Sequence, residues 1–386
     1  MSKWFYIKLN LYKNIIFMIY IMKAISLFSG MGGDTLGIQR SGLTVVAFNE
    51  FDKHAVSCHK LNFPSSELIE DTSHKKDKDK INIQMIDDKI FSDYKDNVDL
   101  IFAGHPCQGF SNGGKKLPND PRNTLFREFA RVCRLSKPKY IIGENVDGLL
   151  SRKTATGENY IDVIVDEFDK IGYNVKYQVC HAVQYGVPQL RKRLVYVGIR
   201  KDLNKEFTFP EPLNDGKIDV PNLKNIIKFS MEGAIKIEPD DFDMTSIPDE
   251  CIVKDMKNDE EEDSDNIHPY LRLKAKTRDF EYGNKIHENM LSFGKRDSPV
   301  HAEVIDIRNP SKTIICTYDH QPRLFVPLQN KNGYFLRPIL PDELKQIQSF
   351  PADFKLTGSK KEQIKQIGNA APPLLVEAIV KKILEI

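Results

Sequence analysis

At 386 residues the chain has room for one large domain with a smaller attachment, or for two domains, and its 40% apolar and 28% charged residues are ordinary for a globular protein. Its six cysteines, at 58, 107, 133, 180, 251 and 316, are widely spaced and form no C-x-x-C pair, which argues against a zinc ribbon, a thioredoxin-type site or a disulfide framework and fits a reduced, intracellular protein. Net charge is +2 but uneven: residues 238–265 carry thirteen acids against Lys254 and Lys257, so that stretch is −11 and the rest +13, a basic body with one detachable acidic segment that suits a polyanionic partner or is simply a solvated loop.

In chain order, Trp4–Ile21 is apolar and aromatic but is interrupted by Lys8, Asn10, Lys13 and Asn14. The uninterrupted run Ile15–Met22 is too short to span a bilayer, and no small-residue cleavage site follows it. Met22-Lys23 directly precedes a strand, so Met22 is the expected natural start and residues 1–21 a disposable extension. Strand Ala24–Phe28 leads through glycines to a helix at Asp34–Arg40, a strand at Thr44–Asn49 and a helix at Asp52–Leu61. Strand Asp99–Ala103, helix Thr124–Leu135, strand Tyr140–Gly143, helix Tyr160–Ile171 and strands Asn174–Cys180 and Leu194–Ile199 follow. Such alternation predicts an α/β fold with a mixed, mostly parallel sheet covered on both faces. From 205 to about 300 Pro210, Pro212, Pro221, Pro239 and Pro248 break the pattern and the acidic run intervenes, which reads as a second domain or an elaborate loop system. Order returns near Pro310–Phe325, with helices over Pro341–Ser349 and from Pro372-Pro373 to the end.

Polar residues gather where four strands end: Phe28-Ser29-Gly30, Glu50, Gly104–Cys107 and Glu144-Asn145. In open α/β sheets that rim binds ligands. FSGMGGDTLG (28–37) is a glycine-rich turn that serves a nucleotide or is only a tight turn, and it does not fit G-x-G-x-x-G. Glu50, about twenty residues on, can accept from two ribose hydroxyls; Phe51 either stacks on an adenine or packs in the core. In AGHPCQGFS (103–111), Pro106 fixes the backbone before Cys107, whose thiol is a nucleophile if accessible and otherwise a small buried hydrophobe. Glu144 can serve as a proton donor. Gln189-x-Arg191-x-Arg193 offers cationic forks for a phosphate or a base carbonyl, or ordinary surface ion pairs.

In their order these pieces resemble the DNA (cytosine-5)-methyltransferase family: FSGMGG, Asn49-Glu50, PCQGFS, Arg122-x-x-Leu125-Phe126, Glu144-Asn145-Val146, Gln189-x-Arg191-x-Arg193 and QIGNAAPP (366–373). The resemblance covers about residues 23–204 and 305–386. It implies an S-adenosylmethionine-dependent, Rossmann-like methyltransferase with a smaller target-recognition domain, acting through a covalent Cys107 adduct on a cytosine flipped from specific double-stranded DNA. By the same resemblance Glu144 assists at the ring N3, Asn145 holds the loop or Pro106, Arg193 contacts the cytosine carbonyl or a phosphate, and Arg191 pairs with Glu144 or with backbone. The cofactor, S-adenosylmethionine with no metal, is assigned to Phe28, Gly30, Gly32, Gly33, Glu50, Phe51, Asp71, Thr72, Leu125, Asn369 and Ala370. Pro106, Gln108, Ser111, Lys115 and Gln189 are assigned to the DNA. His105 departs from the family pattern and is expected beside the cytosine pocket without a required role.

Residues 22–204 then form the catalytic and cofactor domain, 205–305 the target-recognition region with the acidic insertion 238–265, and 306–386 the rest of that region and a segment returning to the catalytic domain. Arg272, Lys274, Lys276, Arg278, Lys285, Lys295 and Arg296 are the cations expected to meet DNA, with Asp259–Asp265 exposed or disordered and facing away. A monomer is expected, off the membrane, cytoplasmic if prokaryotic, in a restriction–modification or viral setting and paired with an endonuclease in the former. The alternatives are the tRNA-methylating branch of the family and a catalytically silent DNA-binding homologue. A dinucleotide oxidoreductase is disfavoured by the glycine spacing.

Overall fold

A computed structural model describes residues 21–106, 124–213, 220–263, 265–276, 280–282, 285–287, 290–296 and 301–386. Strands β1 (Lys23–Leu27), β2 (Thr44–Asn49), β3 (Glu67–Leu68), β4 (Leu100–Ala103), β5 (Tyr140–Asn145), β6 (Tyr173–His181) and β8 (Lys192–Arg200) form a seven-stranded sheet in the order β3-β2-β1-β4-β5-β8-β6. From β3 to β5 the pairing is parallel, and β8 alone runs against its neighbours. The α/β class and the mixed, mostly parallel sheet follow the sequence expectation. The inner strands β1, β2, β4, β5 and β8 are largely buried, so they read as near-continuous apolar runs such as LIFA at β4, whereas the edge strand β6 exposes five of its nine residues.

Helices α1 (Gly33–Arg40), α2 (Lys53–Asn62), α3 (Phe126–Ser136) and α4 (Tyr160–Lys170) connect the strands. Asp52 caps α2 by accepting from the His54 and Ala55 N–H groups. One core face gathers Ile25, Leu27, Ile101, Ile141 and Tyr196 under α3 and α4, and the other gathers Ala24, Val45, Phe102, Ile142 and Val197.

The remaining strands are β7 (Gln189–Leu190), β9 (Ile235–Lys236), β10 (Val253–Lys254), β11 (Phe280–Tyr282), β12 (Lys285–His287), β13 (Leu291–Phe293), β14 (Ala302–Val304), β15 (Ser311–Lys312), β16 (Leu324–Asn330) and β17 (Gly333–Pro338). A second sheet runs β13-β14-β16-β17-β9, with β10 also on β16. The chain then returns through α5 (Pro341–Ile347), α6 (Lys360–Asn369) and α7 (Pro373–Leu384), and α7 packs on α1. A shared core of Met31, Cys58 and Phe63 with Leu223, Ile314, Phe335 and Ile364 joins the two parts, and β15 pairs with β7 across them.

The acidic stretch is not detachable. Met244, Ile247, Cys251 and Ile252 are buried in the core of the second sheet, and β10 lies within it. Its carboxylates lie on the outer side, with Asp259–Glu262 all exposed, while Asp263 accepts from the Gly233 N–H. The charge count captured the outer face of this segment and missed the apolar residues interleaved with it. No helix among the described residues is long and apolar enough to cross a membrane.

Candidate active site

Because β2, β1, β4 and β5 are adjacent, their carboxyl ends form one rim. At the end of β1 the chain turns with Phe28, Gly30 and Gly32 all at positive φ (54°, 55° and 95°). Phe28 holds this conformation despite its Cβ, a strain typical of functional turns. The turn is tied to β2: Glu50 Oε2 accepts from the Gly30 N–H at 2.8 Å and Oε1 from the Phe51 and Asp52 N–H groups at 2.7 Å. Desolvation raises the Glu50 carboxyl above its ordinary range, against those three hydrogen bonds. Phe51, 58% exposed, stands beside it with a ring face free to stack.

A methyl donor bearing a ribose and an adenine would fit these residues. A Cβ on Gly30 would meet nothing within 4 Å, so space opens above the turn. Ser29 Oγ is buried there with no partner among the described residues. Glu50 has used three of its roughly four acceptor positions.

Other assigned residues serve differently. A Cβ on Gly33 would stand 2.1 Å from the Ala371 carbonyl oxygen, and one on Gly37 would stand 2.5 Å from that of Pro373. These two glycines let the C-terminal segment lie against α1, which brings exposed Asn369 and buried Ala370 to the turn. Leu125, at the start of α3, packs with Phe28 on one core cluster. Asp71 is turned inward, contrary to a free adenine acceptor: its carboxylate accepts from Ser73 N–H and Oγ–H and from the Asp87 N–H. Those bonds, Ser73 Oγ–H first, hold its carboxyl below the usual range, and Thr72 beside it is exposed.

At the ends of β4 and β5, Glu144 pairs with the Arg193 guanidinium at 2.6 Å, both side chains 12% exposed. Arg193 also donates to the Lys192 carbonyl. Asn145 Nδ2 donates to the His105 carbonyl at 3.1 Å and to its Nδ1 at 3.0 Å, anchoring the backbone just before Pro106. His105 itself is buried near Phe126 and Tyr196, and burial pushes its imidazole down to about 4, so it is neutral. Cys107, Gln108, Ser111 and Lys115 lie outside the described residues.

Two assignments to the reacting site need correction. Arg191 is 2% exposed and donates to the carbonyls of Ile314, Gly368 and Ala370, so its fork is spent on the returning chain; of the two pairings expected, it makes the backbone one. Gln189, fully buried, donates to Gln348 and accepts from the Ile314 N–H, which leaves it no face toward DNA. Of the cations expected on DNA, Lys274 is buried with Nζ 5.0 Å from the Tyr270 ring centroid, whereas Arg272, Lys295 and Arg296 are exposed.

Sequence reasoning gave no role to three residues. Asn49 donates to the Ile69 and Ile81 carbonyls and so fixes the loop beside Glu50. Lys365 of α6 pairs with Asp52 at 2.6 Å, next to Phe51. Asp34, buried in the first turn of α1, accepts from Ser26 Oγ–H of β1. Its signal was a serine inside the apolar run AISLF and an acid directly after the glycines.

A model of the C-5 cytosine-specific DNA methylase family matches residues 22–385. The Type II methyltransferase M1.HphI of Haemophilus parahaemolyticus is 30% identical over 385 residues, covering 96% of this chain and 89% of its own. M.FnuDI of Fusobacterium nucleatum is 32% identical over 368 residues, 94% of each chain. Among solved structures, a DNMT2 variant of Spodoptera frugiperda superposes with TM-score 0.59 at 20% identity, covering 94% of this chain and 99% of that one. The Entamoeba histolytica methyltransferase EhMeth gives 0.57 at 20%, covering 95% and 98%. At those identities the structures share the fold.

Proposed function

The chain belongs to the C-5 cytosine-specific DNA methylase family, and from that premise we propose that it methylates carbon 5 of a cytosine flipped out of a specific duplex sequence, through a covalent adduct at Cys107. The observation that carries this reading is the Glu144–Arg193 pair at the end of β5, beside a backbone that Asn145 anchors one residue before Pro106-Cys107.

In the proposed reaction the Cys107 thiolate adds to carbon 6, and the displaced electron pair is taken up at N3 and the ring carbonyl. Glu144 gives N3 a hydrogen bond or its proton, and Arg193 faces the carbonyl oxygen or a phosphate. Carbon 5 gains nucleophilic character. S-adenosylmethionine, the donor the family implies, supplies an electrophilic methyl group when bound. A base then removes the carbon 5 proton, the S–C6 bond breaks, and Glu144 recovers its proton. Glu50, Phe51, Phe28, Gly30, Asn369 and Ala370 would hold the donor, with Gly33 and Arg191 as supports of that pocket. Carbon 6 is unreachable in a stacked duplex, hence the flip. The Type II names of the relatives favour a restriction–modification role with a cognate endonuclease.

The test is to incubate the protein with labelled S-adenosylmethionine and unmethylated genomic DNA, or tRNA, and digest the product. 5-Methylcytosine in DNA is expected; label confined to RNA overturns the substrate. Mapping the methylated sites gives a duplex in which 5-fluorocytosine should trap a covalent adduct, absent in Cys107→Ala.

A further inference from the structure

The two parts of the molecule meet around a cavity of about 600 Å³ that the reaction above does not use. Val183 and Leu190 wall it on the catalytic side, Gly294, Glu303 and Ile305 on the side of the second sheet, and Lys312 lines it from β15, the partner of β7. The pleat turns Glu303 into it. In β14, held between β13 and β16, Ala302 and Val304 point into the core of the second sheet, so Glu303 between them takes the opposite face. Glu303 is 6% exposed, and its Oε2 has no hydrogen-bond partner among the described residues. Asp306, which also lines the cavity, is by contrast spent on Arg308, Asn309 and Cys251. Desolvation raises the Glu303 carboxyl above its ordinary range. A buried acceptor without a donor destabilises the fold, and its use is to meet a donor brought from outside.

Two observations identify that donor. The cavity is close to the proposed reaction: Leu190 on its wall stands three residues before Arg193, which pairs with Glu144. Three residues of extended chain span at most about 11 Å, and stacked bases are about 3.4 Å apart, so this wall is within about three base steps of the pair. The rim is cationic: Lys312 lines the cavity, and exposed Lys295 and Arg296 directly follow Gly294. Such a rim suits phosphates, which a carboxylate repels; what a carboxylate takes from a duplex is an N–H on a base edge. In the major groove, the side on which carbon 5 of cytosine lies, the donors are the N4 amine of cytosine and the N6 amine of adenine. We propose that Glu303 is a specificity-determining residue, whose carboxylate accepts the exocyclic amine of a cytosine or an adenine in the recognition sequence, within about three base pairs of the target cytosine. Beside that amine the base pair presents O6 of guanine or O4 of thymine, acceptors that the Lys312 ammonium can serve. The inference rests on the reading that the chain methylates a specific duplex sequence.

The experiment is bisulfite sequencing of unmethylated genomic DNA after incubation with S-adenosylmethionine and the wild type, Glu303→Ala or Glu303→Gln, with urea midpoints for all three. The wild type should give a defined motif. Glu303→Ala should extend methylation to sites that differ from it at one position, with thymine for a cytosine or guanine for an adenine, where a carbonyl replaces the amine. Discrimination at that position should fall about tenfold to a hundredfold. Glu303→Gln keeps one acceptor oxygen and should recover part of it at the same position. A duplex whose base there lacks just the amine should cost the wild type a similar factor and Glu303→Ala nothing further. The midpoints should hold or rise, since Oε2 has no hydrogen bond to lose. If Glu303→Ala does not fold, Glu303→Gln must still relax that position by the smaller factor. A motif unchanged in the variants, or activity lost equally at all sites, overturns the proposal. Absence of 5-methylcytosine with the wild type sinks the underlying reading and the proposal with it.

Discussion

Replacing Arg191 by alanine would strip the buried carbonyls of Ile314 and Gly368 of their donor and leave that of Ala370 to Gln348 Nε2 alone. Each unsatisfied group costs about 1–3 kcal/mol, so Arg191→Ala should lose about 3 kcal/mol or more, read as a lowered urea midpoint. Arg193→Ala removes a partner of Glu144 at the rim and should lower turnover about a hundredfold with a much smaller change in midpoint. Lost turnover in Arg191→Ala at wild-type stability would return Arg191 to the chemistry. The spacing Gln-x-Arg-x-Arg was legible; which arginine faces the site was not, because that depends on Gly368 and Ala370 arriving from 177 and 179 residues further along. Buried histidines give a second prediction at this scale. His105 and His59 are pushed down by desolvation to about 4 and about 3 from the ordinary 6.5. Between those values the unfolded chain binds protons that the folded protein does not. Stability is therefore full above about pH 6.5 and falls as pH drops, until the folded values are reached. Between pH 7.5 and 5 each histidine should cost about 2 kcal/mol. In His59→Phe the difference between urea midpoints at those two pH values should shrink accordingly, and an unchanged difference would clear His59.

Helix α1 and the glycines before it show how far one element could be read from sequence. The glycine turn after a buried strand was legible, and Gly30 and Gly32 do sit at positive φ. Gly33 was grouped with them, yet what it requires is close approach of another backbone, a contact with Ala371 that no local pattern announces. Gly33→Ala and Gly37→Ala would each force backbone apart and should cost about 1–3 kcal/mol. Because that backbone carries Asn369 and Ala370, Gly33→Ala should also weaken S-adenosylmethionine binding, measured by calorimetry; unchanged affinity would separate the C-terminal segment from the cofactor pocket. Helix α6 was missed for a different reason. Its sequence KKEQIKQIGN buries Ile364, Gln366, Ile367 and Gly368 and is otherwise polar or charged, so the apolar stripe is thin. The legible sign was the capping box, Ser359 and Glu362 exchanging hydrogen bonds. Sheet β13-β14-β16-β17-β9 escaped because most of its strands are two or three residues long and several find parallel partners across long loops.

Across the whole molecule the question is how a −11 segment coexists with a polyanionic substrate. Its apolar residues are pinned in the second core and its acids face outward, so geometry has fixed where that charge points. Deleting 238–265 would remove Met244, Ile247, Cys251, Ile252 and β10, and should abolish DNA binding by unfolding the second sheet rather than by altering charge. A charge-only change is the sharper probe. Asp259, Glu260 and Glu261 are exposed, and neighbouring Asn330 and Asn332 donate to the backbone carbonyls of Asp259 and Glu260, not to their carboxylates. The triple variant Asp259→Asn, Glu260→Gln, Glu261→Gln should therefore keep the fold while shifting net charge from +2 to +5. If this face points away from the duplex, as like charge demands at close range, the slope of log affinity against log salt should match the wild type. Each phosphate contact contributes about 0.9 to that slope, whereas distant charge is screened beyond roughly 10 Å at 0.1 M salt. A slope steeper by about two or more, with tighter binding at low salt, would place the acidic face against the DNA, where it would act as a brake on nonspecific association.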